Sequence, residues 1–170
     1  YKVTGVQTCA LPISRANLID GLNLEQLEKL HLRPSPPADD ATFLRRAFLD
    51  TIGRLPTPEE MHAYRTDRSP GKKERLIELL LARPEFVDYW TYKWSDILLV
   101  SGSKLRSRAV DAYHQWIRDR VAENTPWDRL VREIVTARGS SVENGATNFF
   151  AVHQDPETLA ENTSQAFLSL

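Results

Sequence analysis

Cysteine occurs once in this chain, at Cys9, so no internal disulfide can close. Net charge is nearly absent as well. The 22 Lys and Arg residues stand against 23 Asp and Glu residues, and a balance of −1 gives no global field to attract nucleic acid or an anionic membrane. Long apolar runs are missing too: runs such as Leu79 to Ala82 and Ile97 to Val100 reach only four residues, against the roughly 20 needed to cross a bilayer. No membrane span is expected. No G-x-S-x-G elbow or glycine-rich phosphate loop appears either.

What is present is helical periodicity. Leu18, Ile19, Leu22, Leu27 and Leu30 predict a first amphipathic helix, with Gly21 as a possible local irregularity. Pro34, Pro36 and Pro37 remove backbone donors and favour extended neighbours, which makes HLRPSPPADD a linker. Phe43, Leu44, Ala47, Phe48 and Ile52 predict a second helix closed by Gly53. Thr57, Pro58 and Glu60 then form a capping box around a third helix start.

Ser69 and Pro70 give a similar start signal before Leu76, Ile77, Leu79, Leu80 and Leu81. From Pro84 onward, Phe86, Tyr89, Trp90, Lys93, Trp94, Ile97 and Leu98 form one stripe, and the stripe assigns Trp94 to the core. Val110, Tyr113, Trp116, Ile117 and Val121 predict the next helix. Thr125 and Pro126 open another, with Trp127, Leu130, Val131, Ile134 and Val135, closed by Gly139. Ser140 to Thr147 has turn composition and reads as the most mobile internal segment. Asp155 and Pro156 restart a helix carrying Leu159, Thr163, Ala166, Phe167 and Leu170. The expected fold is all-α, an irregular bundle of about six or seven short amphipathic helices without a sheet.

The polar residues yield few sites. Glu59 and Glu60 are first capping and helix-dipole residues, and a catalytic pair only second. Trp90 and Trp94, one turn apart, are core residues or else a carbohydrate-stacking platform. Lys104, Arg106 and Arg108 occupy a polar loop, read as a solvated connector before an anion site. His31, His62, His114 and His153 are too dispersed for a local metal motif and read as surface or capping residues. Arg45, Arg46 and Asp50 suggest a buried ion-pair network, whereas Asp50, Asp88 and Asp96 define no acid-base site by themselves. Catalytic residues are therefore unassigned, with no metal or cofactor ligand.

FLRRAFLDTIGRLPTPEE at Phe43 to Glu60, the downstream LLLARPEFVDYWTYKWSDILL, and NFFAVHQDPETLAENTSQAFL resemble the helical domain of unknown function 1549 over about Leu18 to Leu170. That family occurs in large cytochrome-associated proteins of planctomycetes and their relatives. The resemblance implies a fragment truncated before a Cys-x-x-Cys-His segment, which is similar to a c-type haem attachment site, and before a second domain. It also implies a periplasmic or otherwise extracytoplasmic setting.

Residues 3 to 14, VTGVQTCALPIS, resemble a translated adapter from short-read sequencing libraries, so residues 1 to 14 are assigned to an artefact and 15 to 170 to the domain. A signal-peptide end is the alternative. Such a signal needs a cationic start and roughly 7 to 15 apolar residues, whereas Lys2 alone precedes a segment broken by Thr4, Gly5, Gln7, Thr8 and Pro12. Without Cys9 the remainder has no candidate thiolate nucleophile.

The resemblance implies a scaffold domain supporting a neighbouring c-type haem segment, with the following domain of the same protein and a cytochrome or redox partner as its contacts. Two alternatives stand beside it. One is part of an enzyme acting on polysaccharide or another polymer, its site shared with the missing domain. The other is an aromatic substrate-binding module. Exposed, coplanar Trp rings would favour binding, and converging carboxylates of perturbed acidity would favour the enzyme.

Overall fold

The computed structural model describes residues 18–153 and 155–168. The adapter assignment for residues 1 to 14 lies outside the described residues. Nine α-helices occur among the described residues: α1 Leu18–Lys29, α2 Asp40–Ile52, α3 Pro58–Thr66, α4 Lys72–Leu81, α5 Pro84–Ile97, α6 Ser107–Ala122, α7 Trp127–Val135, α8 Asn148–Val152 and α9 Pro156–Phe167. A 3-10 turn at Gly145–Thr147 leads into α8, and no strand occurs among the described residues. The all-α expectation holds with a higher helix count, and α8, which follows the turn-rich segment, matches none of the predicted stripes.

The described residues divide into two compact units, one ending at Phe43 and the other beginning at Leu44. In the first unit, α1 runs unbroken through Gly21 and buries Leu24. The predicted stripe is not its buried face: Leu18, Ile19, Leu22 and Leu30 are exposed. Asp39 starts α2, where its carboxylate accepts from the Thr42 N–H at 2.8 Å.

In the second unit, Leu44, Ala47, Phe48 and Ile52 bury one face of α2, as their spacing predicts. Gly53 follows with φ +70°, and its missing side chain matters doubly. A Cβ there would collide with the Tyr89 ring of α5. The expected buried network of Arg45, Arg46 and Asp50 is corrected, since all three are exposed on the opposite face of α2. Ser69 does not cap α4 either. It bonds to the Asp67 carboxylate through its N–H at 2.8 Å, and Gly71 precedes the helix instead.

The main core gathers Leu98, Leu105, Ala109, Tyr113, Ile117, Leu130, Ile134, Phe149 and Val152 from α5 through α8. Tyr113, Ile117 and Ile134 are almost wholly removed from water. The Tyr113 hydroxyl reaches the Leu98 carbonyl at 3.4 Å, and its burial pushes its acidity constant above the ordinary value. Trp94, Trp116, Val121, Leu159 and Phe167 close the rim of this core, each half-buried.

The segment read as most mobile is partly fastened. Gly145 and Ala146 are buried, and a Cβ on Gly145 would overlap the Ala112 carbonyl and the Trp116 Cβ of α6. Asn144 holds the turn by accepting from Ala146 N–H at 3.2 Å and donating to the Arg138 carbonyl at 3.1 Å. Gly139 has φ +107° but lies beyond α7, which ends at Val135.

Candidate functional site

Two clusters concentrate the polar and aromatic chemistry. The first grows from the α3 cap. The Thr57 hydroxyl accepts from Glu60 N–H at 3.2 Å, and the Glu60 carboxylate accepts from Thr57 N–H at 2.8 Å, completing the predicted capping box. Glu60 has further work beyond the cap. Arg54 grips it with two bonds of 2.9 Å, and Arg83 from the α5 start adds a third at 2.7 Å. Both guanidinium carbons also lie near the buried Phe48 ring, 5.2 and 5.5 Å from its centroid.

The Arg54 hydrogen bonds hold the Glu60 carboxyl down at about 2, helped by the Thr57 N–H and Arg83 and opposed by partial burial. A cavity of about 250 Å³ opens beside it, lined by Phe48, Glu60, Tyr64, Asp67, Lys72 and Arg83 among others. Asp67 is likewise depressed to about 2, chiefly by the Ser69 hydroxyl and N–H, with Arg75 contributing. Converging carboxylates of shifted acidity are present, but the shift runs against proton donation. A neutral-pH general acid needs its acidity constant raised. Glu59 is exposed and shifted downward by its own backbone N–H and Thr57.

The second cluster is aromatic. A groove of about 530 Å³ lies between α5 and the turn joining α6 to α7, with Phe86, Trp90, Trp94, Arg120 and Trp127 on its walls. Trp90 is positioned by its indole N–H, which donates to the Thr51 carbonyl of α2 at 3.2 Å. Trp94 and Trp127 pack with centroids 4.9 Å apart and planes inclined by 33°, and Phe167 of α9 meets Trp127 at 5.8 Å. Trp127 keeps 42 % of its surface in water.

The expectation of Trp94 as core is thus corrected: it is half-buried, as are Phe86, Tyr89 and Trp90, while Ile97 is exposed. The fully buried positions of α5 and its cap are Thr91 and Leu98. Arg120 is fixed at the groove by Glu133, at 3.1 Å from Nη1, and by Glu123, at 3.3 Å from Nη2. Its buried Nε has no partner among the described residues.

The remaining candidates are scattered. Lys104 donates to the Val152 carbonyl at 3.3 Å, while Arg106 and Arg108 are exposed around the start of α6. His31, with φ +54° just past α1, His62 and His114 are exposed, as expected. His153 is corrected from a surface residue to one only 4 % exposed. Its Nδ1 donates to the Phe149 carbonyl at 2.6 Å and its ring lies 4.6 Å from that of Phe149. The Nε2 has no partner among the described residues. The Phe149 to His153 spacing of one helical turn was the available sequence signal.

Asp88 pairs with Arg118 of α6, and Asp96 is exposed. Among the described residues, no group of three or more His, Cys, Asp or Glu side chains is placed to hold a metal ion. None of their helices is long and apolar enough to cross a membrane.

Fold and clusters together define an all-helical domain in which a few charged groups, Glu60 with Arg83 and Arg120 with Glu133 among them, fasten one helix to another. Residues 18–169 match PSCyt2, described as a protein of unknown function (DUF1549), and the chain belongs to that family. No curated protein and no solved structure matches it.

Proposed function

We propose that this domain is a non-catalytic helical support in a larger extracytoplasmic, cytochrome-associated protein, where it positions a neighbouring c-type haem segment. Its contacts would be the following domain of the same protein and a cytochrome or redox partner. The observation that carries the reading is the use made of charge. Arg54 and Arg83 both bind Glu60 and tie α3 to the start of α5, a rigid frame in which Glu60 is held ionised. Rigid elements are what a neighbouring cofactor segment requires for fixed orientation. The enzyme alternative has less support, because the two carboxylates at the cavity, Glu60 and Asp67, are tied to neighbouring side chains and held too acidic to donate a proton.

Covalent c-type attachment needs two thiols followed by an axial histidine. Residues 15–170 contain no cysteine, so this segment does not fit covalent attachment and its support would act through packing alone. With cytochrome-maturation machinery, residues 15–170 should show no covalent haem stain, while the natural chain extended through a Cys-x-x-Cys-His segment should stain. Deleting the helical domain from that longer chain should shift its haem redox potential or lower its thermal stability. An unchanged potential and stability would sink the support reading, as would a natural continuation without the motif.

A further inference from the structure

We propose that the groove between α5 and the α6–α7 turn binds an uncharged oligosaccharide, with a sugar ring laid against the exposed indole of Trp127. This goes beyond the support reading and does not depend on it. The size is suitable: about 530 Å³ falls within the range of small-ligand sites. The walls are already in place, since Trp90 is tied to Thr51, and Trp94 backs Trp127 at 4.9 Å. Binding therefore requires little ordering of these side chains.

The electrostatics select against charge. Arg120 is the cation at the groove, and Glu133 and Glu123 engage both of its Nη atoms. An anionic ligand would compete with two carboxylates for one guanidinium. A wholly apolar ligand would leave the polar rim without partners. Asn124 and Thr125 line the groove, and among the described residues neither the Trp94 nor the Trp127 indole N–H makes a hydrogen bond.

A neutral pyranose matches both halves of this surface. Its C–H faces pack on indole, and its ring hydroxyls both donate and accept at the edge. A proline-rich peptide also suits aromatic grooves, but its prolines bring no N–H donor for the Asn124 and Thr125 oxygens. The sugar uses the rim more completely.

The test uses the whole chain, titrated separately with cellohexaose, laminarihexaose, xylohexaose, mannohexaose and maltohexaose while tryptophan fluorescence and calorimetric heat are followed. At least one should bind with a fluorescence blue shift and little dependence on salt. Trp127→Ala should weaken that binding by at least about tenfold, a hot-spot effect, without altering the circular dichroism spectrum. Tyr92→Ala, on an exposed position outside the groove, should change it by less than about twofold.

Failure of all five sugars to bind at about 10 mM, a limit weaker than ordinary specific sites, overturns the proposal. Binding indifferent to Trp127→Ala does the same. So does preference for a sulfated oligosaccharide, which would mark an ionic site, or for a polyproline peptide. Each result can occur whether or not the longer protein carries haem, so this proposal and the support reading fail separately.

Discussion

The Glu60 cluster and the Trp127 groove lie in the same compact unit but use their side chains in opposite ways. At Glu60, one carboxylate receives bonds from two guanidiniums and a backbone N–H, and nearly all its bonding capacity is used internally. At Trp127, an indole is braced by two aromatic neighbours and still shows water much of its surface. A saturated polar cluster stabilises and gives a ligand little to bind. The braced but open ring is the better place to seek recognition, although the charged cluster contains the more conspicuous residues.

The hydrophobic interior beneath the groove sets the largest expected effect. Tyr113→Ala removes a side chain with no measurable exposure and should cost about 3–5 kcal/mol in urea unfolding. A loss below about 1 kcal/mol would show that α6 is not seated as described. Trp94→Ala should cost less, about 2 kcal/mol, because the half-buried ring loses only part of its transfer energy. A value as high as that of Tyr113→Ala would make the groove wall part of the core and erase the contrast.

Glu60→Gln should cost about 1–2 kcal/mol near neutral pH by weakening charge-assisted bonds while retaining shape. Its acidity constant is depressed from 4.5 to about 2, so the native contribution is complete above about 4.5 and fades as pH falls towards about 2. Stability measured across that window should therefore be less steep in Glu60→Gln than in the parent. Identical slopes would assign the acid sensitivity to other carboxylates, Asp67 first.

At the bottom of the scale, Arg45→Ala and Asp50→Asn should each stay within about 0.5 kcal/mol of the parent. Both positions are exposed. A larger loss in either would restore the buried network that the sequence suggested.

Local capping was legible because its signals are short-range: Thr57 and Glu60, and Asp155 with Thr158 N–H at 2.8 Å, need only neighbouring residues. The buried face of α2 was legible from spacing. The partners of Glu60 were not, because Arg54 and Arg83 come from outside α3 and converge on it only when α3 and α5 have packed. Likewise, an aromatic stripe on α5 does not reveal which rings face the core. That choice depends on Trp127 and Phe167, more than thirty residues downstream of Trp94. His153 was missed because one buried side can be set by a short helix, α8, hidden behind a run of turn-forming residues.

Gly145 carries a consequence for how this sequence can vary. The atom nearest to a would-be side chain at that position includes a main-chain oxygen, Ala112 O, and no replacement at position 112 removes a carbonyl. Shortening Trp116 does not relieve the other half, because the clashing atom is its Cβ, which every residue but glycine keeps. Position 145 thus has a one-letter alphabet as long as the turn rests on α6, while position 116 remains open to exchange. In an alignment of relatives sharing this packing, the two sites should drift independently, with glycine constant at one and residues of several sizes at the other.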